Sequence, residues 1–240
     1  MKSNYFNSSV IVPTVAASKL HSAFATGDIV FDWMGFEIPR GVAKLLGASI
    51  SLRAKNDAGQ TVQPAGLALM FAQAPSPDAA PTSLGTVNGE ITNFATTDVI
   101  GVLPATTETV GVRTLYQTTV SPAELVLEPN VNSGSNVGVD KYYIAGIAAG
   151  NLDFTSALTV NETNFGAGTQ TVITVADVDA TLGFAAGDVI HAQDDAVLGT
   201  IQSVDSTTQI TLTAANTAAI EDDDVLYNIN PIRITLHFSK

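Results

Sequence analysis

The sequence predicts an all-β protein: an antiparallel, jelly-roll-like β-sandwich with a small β-barrel inserted near its C-terminal end. Three observations carry that prediction. Short apolar runs recur at roughly 8–12-residue spacing, separated by Gly, Asn, Asp and Pro. No segment of ten or more residues keeps an i, i+3, i+4, i+7 apolar pattern bounded by helix start and stop signals. Charge also divides the chain: residues 154–229 hold eleven acids and no Lys or Arg, whereas the remaining twelve acids face all ten bases. At 240 residues the chain can bury a real core, and its 14% of charged residues lies well below the roughly 25% of an ordinary domain. Thr, Ala, Val, Gly and Asn take the place of charge, which suits pleated strands and tight turns.

The strands follow in order. "DIVFDWMGFEIP" (28–39) is apolar and aromatic and ends at Pro39. "AKLLGASISLRAKNDAGQTV" (43–62) reads as a strand, a turn at Asn56–Gly59 and a second strand. Ile50 and Leu52 fall on one face and Ser49, Ser51 and Arg53 on the other, the period of two of a half-buried strand. The best helix candidate, "GVAKLL" (41–46), is too short to carry an α/β fold. "GLALMFAQA" (66–74) is a more fully buried strand, and the Pro-rich stretch 74–89 is a surface loop. Residues 93–120 supply two or three strands, "PAELVLEPN" (122–130) a strand or one helical turn, and 131–140 a loop. "KYYIAGIAAGNLDF" (141–154) is a strong strand with Tyr142, Ile144 and Gly146 on one face.

Within the acidic part, five or six short strands are separated by turn signals at 166–168, Gly183, Gly187-Asp188, Asp194-Asp195 and Asp205-Ser206. That is the profile of a barrel of the SH3 or OB kind. "NPIRITLHFSK" (230–240) then resumes strict alternation, with Ile232, Ile234, Leu236 and Phe238 on one face and Arg233, Thr235 and His237 on the other. Residues 1–153 plus 230–240 are therefore expected to form the sandwich and 154–229 the inserted barrel. Insertion needs two nearby chain ends, so 142–148 and 232–238 are expected to be neighbouring or near-neighbouring strands. Tandem domains are the alternative.

Most chemistries lack their residues. Without cysteine there is no disulfide framework, thiolate zinc site or thiol nucleophile. No apolar run approaches the roughly 20 residues of a membrane span, and the first residues lack the pattern of a secretory signal. The net charge of −13 disfavours phosphate backbones, so no direct nucleic-acid contact is expected. His21, His191 and His237 are far apart, with no HExxH or H-x-H pair, and His191 reads as a solvent-facing strand residue. Ser203 and Ser206 lie outside any G-x-S-x-G. A glycosidase pair of carboxylates could in principle arise from Asp188, Asp194 or Asp195, and no aromatic cleft accompanies them. Glu221-Asp222-Asp223-Asp224 lacks calcium-loop spacing and reads as a solvated turn. "GAGTQT" (166–171) lacks the lysine of a phosphate-binding loop. No catalytic, cofactor-binding or metal-binding residue is assigned, and no cofactor is expected.

"FDWMGFEIPRGVAKLLGASISLRAKNDAGQ" (31–60), "PTSLGTVNG" (81–89) and "IRITLHF" (232–238) resemble minor virion structural proteins of tailed, especially marine, bacteriophages. "GDVIHAQDDAVLGTIQSVDSTTQITLT" with "IEDDDVLY" is similar to small β-barrel modules that recur in phage head and tail proteins. The resemblance implies a non-enzymatic capsid decoration or cement protein at the virion surface. The major capsid protein or other virion proteins, and further copies of the chain, would be its partners. A tail-associated carbohydrate- or receptor-binding module is the alternative, favoured if Trp33 or Tyr142-Tyr143 form an exposed aromatic cluster.

One short echo crosses the charge boundary: "FATGDIV" from Phe24 and "FAAGDVI" from Phe184. Each reads as a turn opening a strand, with Gly permitting the turn and Asp bonding backbone amides just beyond it.

Overall fold

A computed structural model describes residues 4–15, 20–53, 55–57, 63, 66–77, 79–93, 98–104, 115–119, 125–129 and 138–240. In chain order its strands are β1 (Tyr5–Asn7), β2 (Ile29–Pro39), β3 (Ala43–Leu52), β4 (Leu67–Gln73), β5 (Val99–Leu103), β6 (Leu115–Thr119), β7 (Leu125–Leu127) and β8 (Val139–Ala148). There follow β9 (Thr159–Val160), β10 (Val172–Ala176), β11 (Val189–His191), β12 (Val197–Ser206), β13 (Gln209–Leu212), β14 (Tyr227–Asn228) and β15 (Ile232–Ser239). The molecule is all-β, and every paired strand is antiparallel to its neighbour.

Two sheets form the sandwich. One has the order β1-β15-β3-β6, with β7 also on β3; the other has the order β2-β8-β4-β5. The chain passes back and forth between them, and these orders are those of a jelly roll, two Greek keys folded face to face. The alternation in the sequence decides which side of each strand faces inward. Along β15 the residues Ile232, Ile234, Leu236 and Phe238 are buried, while those between them are half-buried on the outer face. Ile50 and Leu52 of β3 do the same. Aromatic rings fill the middle of the core: Phe36 of β2 meets Phe71 edge-on at 6.3 Å and stacks near Phe238 of the opposite sheet at 6.4 Å.

Gly146, on the predicted core face of β8, is required by a close approach. A Cβ there would lie 2.1 Å from Cε1 of Phe31. Gly146→Ala is expected to cost about 1–3 kcal/mol through overpacking. A lowered urea midpoint with an unchanged slope would be the readout; an unshifted midpoint would show that Phe31 moves aside freely.

Ala43 to Leu46 open β3, as the strand reading of 43–62 expected, and alternate residues there are buried against the sandwich core. The structure corrects several expectations. β8 and β15 are not neighbours; they lie in facing sheets. The inserted segment is closed by β3 instead. Arg53 N donates to the carbonyl of Pro231 at 2.8 Å, and Ala157 N donates to that of Asn56 at 2.7 Å. Both ends of 154–229 therefore rest on the same exit from β3. "PAELVLEPN" contains a strand, Leu125–Leu127, and Val139-Asp140 of the expected 131–140 loop belong to β8. The predicted turn residues Ala58 and Gly59, and 131–137, lie outside the described residues.

The acidic segment forms a third sheet, β14-β11-β12-β13-β10-β9. Its ends meet: Val160 N bonds Asp224 O at 2.9 Å and Leu226 N bonds Leu158 O at 2.9 Å, just before β14. The sheet thus curls toward a barrel, its two margins meeting at these bonds. Leu158, Ile173, Ile190, Leu198, Ile210 and Leu226 form its fully buried core. A single helical turn, α1 (Ala180–Gly183), was not expected. It is capped by Asp179, whose carboxylate accepts from Thr181 N at 2.9 Å.

Candidate functional site at the joint between sandwich and barrel

The two echoed heptapeptides fold into the same turn. Gly27 and Gly187 take φ of +94° and +85°, a region open to glycine at little cost. Asp28 and Asp188 each donate a backbone N–H to the carbonyl three residues earlier, at 3.1 Å. Their carboxylates accept from Ala25 N at 2.7 Å and Ala185 N at 2.9 Å. The aspartate therefore reaches back across the turn, not forward along the strand as expected. Phe24 and Phe184 are both buried and anchor the two turns in the two cores.

Asp188 does more than its twin. It is fully buried, and Arg233 of β15 donates to its Oδ1 at 2.8 Å while Asn228 donates to Oδ2 at 2.7 Å. Arg53, just after β3, reaches the same Oδ2 at 3.5 Å. Two guanidiniums from the sandwich thus converge on one carboxylate of the barrel. Around this clasp, Gln63 donates to the carbonyls of Arg53 (2.9 Å) and Asp153 (2.6 Å) and accepts from Asp153 N (2.8 Å). Asn230 accepts from Val189 N at 3.2 Å and donates to Pro13 O at 3.3 Å. Lys55 meets Asp153 at 2.9 Å. Burial pushes the Asp153 carboxyl up, but hydrogen bonds from Thr155 and Lys55 outweigh it and hold the group below its ordinary value. Tyr227 and Ile229 of the barrel's exit belong to the sandwich's own hydrophobic cluster, so the joint is packed as well as bonded.

The two oxygens of Asp188 are thus committed to two arginines, an amide and a backbone N–H. Asp194 caps the following turn through Ala196 N at 3.0 Å, and Asp195 sits in that turn with φ of +67°. Ser203 donates to Asp205 at 2.6 Å, and Ser206 accepts from Thr208 N at 3.2 Å, both within the β12–β13 hairpin. The acidic run is used structurally: Asp222 accepts from Glu162 N at 3.1 Å and Asp224 accepts from Glu221 N at 2.8 Å. Among the described residues no group of three or more His, Asp or Glu is placed to hold a metal ion. "GAGTQT" is organised by Asn216, whose Oδ1 accepts from Thr169 N at 3.1 Å and Gln170 N at 2.9 Å. Those amides face an internal carbonyl group, not a phosphate. Tyr142 and Tyr143 are buried, and the Trp33 indole donates to Thr82 O at 3.0 Å.

Tertiary pairing also builds a contact that no sequence motif announces. His237 Nε2 lies 2.8 Å from Ser49 Oγ, and its Nδ1 lies 2.9 Å from Asn7 Oδ1. The order of groups is that of a nucleophile, base and orienter. However, Ser49 lies mid-strand in β3, paired with β15 on one side and β6 on the other. The backbone around Ser49 takes part in both ladders. The contact works as a cross-strand polar ladder. The only signal that could have found it was the alternation placing Ser49 and His237 on outer faces.

His191 also departs from expectation. Both ring nitrogens are buried, and the backbone of Asp195 lies against the ring. Burial lowers its pKa, while the carboxylates of Asp195 and Asp194 pull the other way. His21 comes to the same corner, 3.9 Å from Asp195 and with its ring 4.8 Å from that of Tyr227. Because the folded-state pKa of His191 lies below the unfolded value, its stabilising contribution is present above about pH 6.5 and is lost as pH falls through the folded value. Melting temperature should therefore fall on acidification from about pH 7 to about pH 5, and less steeply in His191→Gln. Parallel curves for the two proteins would remove His191 as the source.

No protein-family model, curated protein or solved structure matches the chain. Among the described residues no helix is long and apolar enough to cross a membrane.

Proposed function

We propose that the chain is a non-enzymatic virion structural protein that decorates or cements the capsid of a tailed bacteriophage. On this reading the sandwich grips the shell and the acidic barrel projects into solvent. The observation that carries it is the joint: a barrel with no basic residue is held to a jelly roll by a buried carboxylate and two arginines. A fixed, charge-segregated pair of bodies suits a passive outward-facing module better than a cleft enzyme, whose site would need groups left uncommitted. Jelly rolls serve viral capsid proteins, lectins and cupins alike, so the fold supports the reading without deciding it.

The end of the sandwich remote from the barrel supplies a contact surface. Across one sheet, Tyr5, Ser239, Lys44 and Val126 lie in a single register row. Tyr5 is 74% exposed, Val126 47%, and Val42 beside them 57%. Exposed apolar side chains gathered at one end favour association with the shell or with further copies. The carbohydrate-binding alternative needs an aromatic platform, and Tyr142 and Tyr143 are buried. Particle proteomics with cryo-electron microscopy tests the assignment. High-copy density on the capsid lattice, with the barrel outermost, is the expected result; density at a tail tip, or absence from purified particles, would overturn it.

A further inference from the structure

The joint encloses a cavity of about 10 Å³, lined by Arg53, Asn56 and Ser156 on one side and by Gly183, Phe184 and Asn228 of the barrel on the other. Asn56 is 6% exposed, and its Oδ1 accepts no hydrogen bond from any described residue. Among the described residues at the cavity, the Asn228 amide has no proton left for it. Asn228 spends both amide protons, on Gly183 O at 2.8 Å and on Asp188 at 2.7 Å. Ser156 Oγ accepts from Asn56 Nδ2 at 3.0 Å and from Leu158 N at 3.2 Å, so it lies on the nitrogen side of the Asn56 amide, away from Oδ1. A buried carbonyl oxygen left without a donor is costly, and native proteins resolve such cases with an internal water where the space is polar and about one water in size.

We propose that this cavity is a binding site for a single structural water molecule, which donates to Asn56 Oδ1 and accepts from the Arg53 guanidinium. Arg53 has donors to give, since its one described side-chain bond is the long 3.5 Å contact with Asp188. The water then becomes a third bonding element of the joint, alongside the Asp188 clasp and the Gln63 staple. It is walled by residues of both bodies. Gly183 keeps the space available: a Cβ there would lie 2.7 Å from Asn56 Cγ and 3.0 Å from Oδ1.

The test combines a high-resolution crystal structure with oxygen-17 magnetic relaxation dispersion in labelled water, which counts internal waters held longer than molecular tumbling. The full-length protein is expected to show one density peak within hydrogen-bond reach of Asn56 Oδ1. Asn56→Leu, which removes the acceptor at similar volume, should lose that peak and a dispersion amplitude equal to one water. Gly183→Ala, which crowds the same space, should give the same loss. No density in the wild-type cavity, or an unchanged dispersion amplitude in a folded variant, would overturn the proposal. If neither variant folds, the wild-type density decides alone.

Discussion

Asp188→Ala is expected to lower the stability of the protein by about 3–5 kcal/mol, the cost of breaking a buried ion pair from one side. The loss comes less from missing attraction than from what is left behind. Arg233 and Arg53 would keep their charge at a joint with no counter-ion, and Asn228 and Ala185 N would each lose an acceptor. For a chain of this size that corresponds to roughly 6–20 °C in melting temperature. Arg233→Ala should cost less, because its side chain is 38% exposed and water can reach the vacated side. Asp188→Asn should fall between the two, keeping the size and the cap on Ala185 but losing the charge. The measurement is urea unfolding followed by tryptophan fluorescence, since Trp33 lies in the sandwich, and by far-ultraviolet circular dichroism for the whole chain. An Asp188→Ala loss below about 1 kcal/mol would mean that the joint relaxes or hydrates without cost. Asp28→Ala is the matched control: the same turn without the ion pair should lose only about 1 kcal/mol.

Asn216→Ala should have the next largest effect, about 2–4 kcal/mol, and should act within the barrel. This side chain is fully buried and makes four hydrogen bonds: it accepts from Thr169 N and Gln170 N, and donates to Gly166 O at 3.0 Å and Ala218 O at 2.6 Å. Two loops, 166–170 and 216–218, have no other described side chain bridging them in this way. Alanine would remove the side-chain partner of four backbone groups at once, of which Gly166 O keeps a bond from Thr169 Oγ1, and the amides of Thr169 and Gln170 should lose their hydrogen-exchange protection first. Asn216→Asp makes the sharper comparison, because it keeps an acceptor toward the two amides but turns a carboxylate oxygen on two carbonyls. Unchanged exchange at Thr169 and Gln170 in a folded Asn216→Ala variant would show that the ladder alone holds the loop.

Some of this architecture was legible residue by residue. The alternation along 232–238 and 48–53 was enough to assign buried and outward faces, because a strand with one buried face must repeat with a period of two. The twin "FATGD" and "FAAGD" turns were legible as strand openings, although the direction of the aspartate's bond was not. "GVAKLL" carries good helix formers, yet it reads as the start of a strand, and pairing with β15 and β7 overrides that local preference. Other features misled for identifiable reasons. Tyr5–Asn7 is three residues long and gains its strand character only from β15. His191 read as solvent-facing, and Asp188 as an ordinary turn residue, because composition reports how many charges a segment carries and says nothing of which neighbour covers them. The Ser49–His237–Asn7 ladder joins residues up to 230 positions apart, a distance no spacing rule spans.

Composition, turn residues and period-two patterning thus determined by themselves that the chain is all-β, that residues 154–229 are acidic without a balancing base, and which side chains of the long strands face a core. These are local properties, set by backbone geometry and by the need to bury alternate residues. Only the tertiary structure decided that β8 and β15 lie in facing sheets, that β3 gathers both ends of the acidic segment, and that Asp188 is a buried clasp between two arginines. Those outcomes depend on which strand covers which. A buried carboxylate takes its role from the cations packed against it, and here they arrive from residues 53 and 233 of the chain.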